Sequence, residues 1–150
     1  MAADPGLIAR LDALIEAFHR RSLDLPDGLF DRRTQFLLNG APFESLLGRP
    51  PGDPLVLMLA RGPAGYRFVM KAVQHALPDA SLVRGVFDGA GDAVSGECWL
   101  SGRLRGADTP FDGVFAVTLT LGPAGVVQTA AVTMDAASVA ALDAARKSAE

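Results

Sequence analysis

Residues Phe111 to Asp135 read FDGVFAVTLTLGPAGVVQTAAVTMD, and their alternation decides the fold. Two runs rich in β-branched and apolar residues flank Gly122-Pro123-Ala124-Gly125, a turn composition. Strand side chains point alternately to two faces, so each run sorts into two sets. A four-residue loop pairs Leu121 with Val126, Leu119 with Gln128, Val117 with Ala130 and Phe115 with Val132, an almost wholly apolar face. The other face carries Val114, Ala116, Thr118 and Thr120 against Val127, Thr129, Ala131 and Thr133. The first set is expected to be core. The second is expected to be a semi-polar outer face, either solvated or paired with another subunit. A register one residue away would mix the two sets.

Upstream the period of two continues to Ser81. Ala93 to Arg105 reads as a strand, with Val94, Cys98, Leu100 and Leu104 on one face and Ser95, Glu97, Trp99, Ser101 and Arg103 on the other. Ser81 to Asp88 reads as one further strand, ended by Asp88-Gly89-Ala90-Gly91. Gly106 to Pro110 is a loop. After Asp135 the pattern turns helical, with Val139 and Leu142 inward and Asp143 on the solvent side. Lys147 to Glu150 is expected to fray.

Before Ser81 the period is mostly helical. Asp4 suits an N-cap and Pro5 the first helical turn, where its missing N–H costs nothing. Leu7, Ile8, Leu11, Leu14, Ile15 and Phe18 then recur as one stripe. His19, Arg20 and Arg21 close the helix, and His19 reads as a charge suited to the helix dipole. Asp24 to Asp31 holds Pro26 and Gly28 and is expected to form one short helical turn. Thr34 to Phe43 reads as a short strand that ends or folds back at Asn39-Gly40. Arg49 to Asp53 is a break. Asp53-Pro54 opens a second helix, with Leu55 to Ala60 apolar all round. Arg61-Gly62-Pro63 interrupts it, and Pro63 restarts it with Tyr66, Val69, Met70, Val73, Ala76 and Leu77 inward until Pro78. Helices first and meander strands after is an α+β layout, here one domain over residues 1–150.

Composition narrows the function classes. The chain is 49% hydrophobic with a net charge of −3, which argues against a nucleic-acid surface of clustered Lys and Arg. The N-terminus lacks the basic start and apolar run of a secretory signal, and the longest purely apolar run, Leu55 to Ala60, is too short to span a bilayer. A cytoplasmic protein with no membrane partner is expected. Cys98 stands alone, so no internal disulfide forms. His19, His75 and Cys98 have no ligand spacing, so neither a metal nor another cofactor is expected.

This order of elements resembles the nuclear transport factor 2-like superfamily, which includes the SnoaL-like polyketide cyclases and the ketosteroid isomerases. The matching landmarks are Leu29-Phe30-Asp31 before the first strand, the strand pair Val114 to Met134 with its Gly-rich turn, and Asp135 before a short helix. They cover nearly the whole chain and describe fold rather than chemistry. The resemblance implies a curved antiparallel sheet wrapped around the N-terminal helices, a cystatin-like cone with a pocket at its open end. It also implies a homodimer through the sheet's outer face. Where similar isomerases carry a Tyr and two Asp, this chain carries Leu14 or Ile15, Leu37 or Leu38, and Val117. The Arg-x-Asp of similar epoxide hydrolases appears only as Arg10-Leu11-Asp12, on a helix rather than a strand.

Several residues remain as candidates. Phe18, Leu38, Tyr66, Met70, Leu100, Phe115 and Val117 are expected to line the pocket and to take a small apolar or aromatic ligand. Tyr66 is the chain's only tyrosine and needs a partner for its phenol, either a ligand or a backbone carbonyl. Arg84 shares a face with Leu82 and Val86; turned inward it would invite a carboxylate or phenolate, turned outward it is surface. Asp112 either points at the pocket rim or simply begins its strand. Tyr66, Arg84 and Asp112 are the only catalytic candidates. Glu97 and Arg103 share the Trp99 face and are positioned for an ion pair or a partner subunit. Arg61 to Gly65 reads as a helix restart rather than an anion loop, since it lacks a Lys-Ser/Thr ending. His75 reads as structural and Cys98 as core packing. The preferred function is small-molecule binding. The alternatives are a cyclase- or isomerase-like enzyme with general acid and base, and a protein-association module acting through its convex face.

Overall fold

The computed structural model describes residues 4–42, 61–107 and 109–146. The expectations for Arg49 to Ala60 and for Lys147 to Glu150 fall outside them. The first helix, α1 (Pro5–His19), begins as its sequence demands: Asp4 Oδ2 accepts the Leu7 N–H at 3.1 Å. Its stripe buries Leu7, Leu11 and Phe18. The segment after it holds no helix. The Pro26–Gly28 stretch instead forms a tight turn closed by Leu29 N–H to Pro26 O, because Gly28 takes a positive φ of 78° that a helical turn does not use. Leu29 is fully buried beyond that turn.

Strand β1 (Phe30–Leu38) starts four residues earlier than expected, but its ladder is interrupted between Phe30 and Gln35. There Asp31 Oδ1 accepts the Arg33 N–H at 2.8 Å and the chain bulges. Thr34, with no exposed surface, ties the bulge down. Its hydroxyl donates to Val127 O at 2.7 Å and accepts the Asp31 N–H at 3.0 Å. Thr34→Val keeps the shape and orphans both backbone groups, so a loss of about 2 kcal/mol is expected in urea unfolding. Asn39 (φ 52°) and Gly40 (φ 84°) turn the chain into β2 (Ala41–Pro42), as the Asn-Gly pair required.

The sheet continues with β3 (Ser81–Arg84), β4 (Asp88–Ala90), β5 (Ala93–Arg103), β6 (Pro110–Leu121) and β7 (Val127–Met134), in the order β2-β1-β7-β6-β5-β3, with β4 also on β5. One pair departs from the expected antiparallel sheet: β1 runs parallel to β7. The helix that follows Arg61 is α2 (Gly62–Ala76), and α3 (Ala136–Arg146) follows β7. The Asp135 carboxylate receives both the N–H and the hydroxyl of Ser138, which hold it below the usual carboxylate range and start α3.

The central hairpin is present with a register two residues from the expected one. Phe115 pairs with Met134, Val117 with Val132 and Leu119 with Ala130. From Thr129 onward the even offset keeps every face; a loop of five residues rather than four, Gly122 to Val126, and one bulge at Gln128 each contribute one residue to it. The expected register put Gln128 on the core face opposite Leu119. The bulge expels Gln128 to solvent and turns Val127 fully into the core. Likewise Ser81 to Asp88 is two strands rather than one. Three residues, Gly85 to Phe87, oppose Gly96 and Glu97 of β5, so the chain kinks and Phe87 swings inward, 5% exposed.

The inner face of this curved α+β sheet carries two apolar clusters. One joins Leu7 and Leu11 of α1, Tyr66 of α2 and Phe36, Phe87, Val94, Leu119 and Val127. The other joins Phe18, Leu77, Leu100 and Phe111, with Leu142 of α3 against it. Met70, Leu82 and Phe115 touch both.

Candidate functional site

The pocket residues expected from sequence all lie on this inner side, at and between the two clusters. Phe18, Tyr66 and Leu100 are buried. Leu38, Met70, Phe115 and Val117 are only partly buried, although they face the interior. The register explains where they meet. Leu38 pairs with Val132 and Val132 with Val117, one apolar row across three strands, and every member of it is half-buried. The row on one side, Phe36, Ala130, Leu119 and Val94, is buried throughout. Less-covered apolar surface therefore stands between well-packed layers.

Tyr66 sits above this region on α2, its ring 5.7 Å from that of Phe30. It is 7% exposed, and its hydroxyl makes no hydrogen bond among the described residues. Burial pushes the phenol well above its ordinary range, so it stays protonated and can donate a hydrogen bond but not act as a base.

Arg84 does turn inward, beside Leu82, but it does not line the interior as a free cation. It forks onto Asp12 of α1, Nε to Oδ1 at 2.5 Å and Nη2 to Oδ2 at 3.0 Å, and its Nη1 donates to Gly85 O. The pair ties α1 to the sheet. The Arg84 hydrogen bonds hold the Asp12 carboxyl below its usual range, against a smaller opposing effect of burial. A native pKa below the unfolded one gives stability that is full above the unfolded pKa and lost as pH falls through the native one. Both side chains are partly exposed, so solvent screening keeps the effect small, below about 1 kcal/mol. Asp12→Asn should cost that much near about pH 7, and the difference from wild type should shrink as pH falls below the ordinary carboxylate range in urea titrations.

Asp112 begins β6 on the outer face and is exposed. The three catalytic candidates are thus dispersed: Tyr66 inside, Arg84 engaged by Asp12, Asp112 outside. Glu97 and Arg103 do not pair within the chain. Six residues apart on one strand, they stand about 20 Å from each other. Cys98 lies opposite Arg84 in the core, and burial raises its thiol to about 11, with Arg84 pulling it partly back. His19 does more than close its helix. Its Nε2 accepts the Leu82 N–H at 2.9 Å and docks β3 on α1, a role no local spacing could reveal. The Arg61–Gly65 segment opens α2. Gly62 is buried against the backbone of Asp31 and Arg32, which leaves no room there for an anion. Arg10 on α1 was not anticipated: its Nε is buried without a hydrogen-bond partner among the described residues, and its guanidinium lies near the turns at Gly28 and Gly125. Among the described residues no three His, Cys, Asp or Glu are grouped to hold a metal ion, and no helix is long and apolar enough to cross a membrane.

No protein-family model and no curated protein matches the chain. Solved structures do, over nearly its whole length. Wild-type IdmH, a candidate polyketide cyclase from Streptomyces antibioticus, is 19% identical at a TM-score of 0.65, over 92% of this chain and 98% of that one. A candidate SnoaL-like polyketide cyclase from Jannaschia sp. CCS1 is 13% identical at a TM-score of 0.65, over 93% and 94%. TerC, co-crystallised with polyporic acid, is 16% identical at a TM-score of 0.63, over 95% and 98%. At these identities the likeness is one of fold.

Proposed function

From the nuclear transport factor 2-like fold that this chain adopts, we infer a protein that binds a small, mostly apolar organic molecule on the inner side of its sheet. The observation that carries this reading is the half-buried row Leu38–Val132–Val117, with Phe115 and Met70 beside it, between two buried clusters. Apolar surface left less covered inside a cone is where an apolar ligand gains most from leaving water. The Tyr66 phenol, protonated and without a partner among the described residues, would orient such a ligand by donating one hydrogen bond. The co-crystallisation of TerC with an organic acid agrees with a ligand of this kind. An acid–base enzyme reading has less support, since Tyr66, Arg84 and Asp112 do not converge. In the same reading the protein is a homodimer through the sheet's outer face, where Trp99 and Val114 are exposed on strands whose inner side is core.

A titration with an apolar, environment-sensitive fluorophore tests the ligand site. Wild type should bind it saturably, and Val117→Trp, which fills the middle of the row, should weaken binding by about tenfold or more without loss of fold. Equal binding by both proteins would place the site elsewhere and overturn the reading.

A further inference from the structure

We propose that Arg10 is the core of an oxyanion site at the turn end of the sheet. It is separate from the apolar row on the inner face, and it takes the carboxylate or phosphate group of a small molecule.

A guanidinium carries five N–H donors and no acceptor. Arg20, Arg84 and Arg146 each meet a carboxylate, on Glu16, Asp12 and Asp143. Arg10, half-buried on α1, meets none among the described residues. Asp27, in the turn beside it, is exposed and does not pair with it. The Arg10 Nε is buried and makes no hydrogen bond among the described residues. A buried donor left unsatisfied is costly, and more so on a cation. The chain therefore holds, at a fixed place, a charge and a donor that an oxyanion would satisfy together.

Two turns wall that place. A Cβ at Gly28 would lie 3.5 Å from Arg10 Nη1, and one at Gly125 would lie 3.8 Å from Nη2, so the guanidinium spans the gap between them. Each turn is closed by its own backbone, Leu29 N–H to Pro26 O at 3.4 Å and Gly122 N–H to Val126 O at 2.8 Å. The two are also tied to each other, because Leu29 O accepts the Val127 N–H at 2.9 Å. The walls are thus fixed before any ligand arrives, which lowers the ordering cost of binding. Gly28 is exposed, so the gap reaches solvent on that side.

The geometry also selects the ligand group. Two parallel donors on one edge of a guanidinium hold two oxygens of one anion. Arg84 shows that edge in use, with Nε and Nη2 on the two oxygens of Asp12. In Arg10 the same edge consists of the buried Nε and the Nη2 beside Gly125. A carboxylate or a phosphate presents the matching pair of oxygens, and a neutral carbonyl presents only one. Along β6 the buried Leu119 stands between this turn and Val117, which keeps the site apart from the apolar row.

Isothermal titration calorimetry tests this with sodium phosphate and sodium acetate, each against sodium chloride at equal ionic strength. Wild type should bind at least one of the two oxyanions saturably, and the tighter one tells a phosphorylated ligand from a carboxylic acid. Arg10→Gln removes both the charge and the fork and should weaken binding by about tenfold or more. Arg10→Lys keeps the charge but not the fork and should also lose about tenfold, and it is the variant to read should Arg10→Gln disturb folding. Binding of the apolar fluorophore should be unchanged in both variants. Wild-type heats no different from those of chloride, or wild-type affinity in either variant, overturn the site. Fluorophore binding lost together with the oxyanion would place Arg10 in the apolar site and overturn their separation.

Discussion

Gly62→Ala is expected to lower unfolding free energy by about 4 kcal/mol. Two independent costs meet at this position. The backbone stands at φ 63°, in the left-handed region where a Cβ is disfavoured by about 1–2 kcal/mol. A Cβ there would also lie 2.6 Å from Asp31 O and 2.9 Å from Arg32 Cα. Both atoms are backbone, held by the Thr34 bulge, so neither can rotate away. The first turn of α2 would have to lift off β1, and Tyr66 would lift with it. Denaturant unfolding reads the loss. A change below about 1 kcal/mol would mean that the α2–β1 contact is looser than described.

Gly96→Val is expected to cost about 3 kcal/mol. Gly96 faces inward on β5, where an added Cβ would sit 2.5 Å from Cδ1 of Phe87. Phe87 is 5% exposed and packs into the larger cluster, so its ring has nowhere to go. The kink between β3 and β4 exists to deliver that ring, and Gly96 is the gap that receives it. Phe87→Ala alone should cost a similar amount by leaving a cavity. The double variant should cost clearly less than the two single losses added, because valine then fills space that alanine vacates. Strict additivity in that cycle would show that the two positions do not share one space.

Local chemistry announced most of the fold. Asp4-Pro5, Asn39-Gly40, the Gly-rich turn after Leu121 and the change of period at Ser81 each act over a few residues, and the structure uses all of them. What stayed hidden was non-local or opposed a local pattern. The parallel pairing of β1 with β7 joins residues some ninety positions apart and leaves no mark on either strand's alternation. The bulge at Gln128 could have been suspected, since the expected register buried an amide without a partner. The kink at Gly85 was legible only if the two glycines, Gly85 and Gly96, were read together with Phe87.

The site divides in the same way. Alternation placed Phe115 and Val117 on the inner face, and helical period placed Tyr66 and Met70 above them. Alternation also put Arg84 inward, yet nothing near it in the chain pointed to Asp12, which lies 72 residues away and occupies its guanidinium. Glu97 and Arg103 were rightly set on one face. Strand rise alone rules out their pairing within one chain.

Native mass spectrometry of the protein taken directly from the cells that make it tests the central claim most directly. The account predicts one defined small-molecule mass retained per subunit by wild type and absent from Val117→Trp. Wild type without any such mass, or the same mass held equally by Val117→Trp, would contradict it.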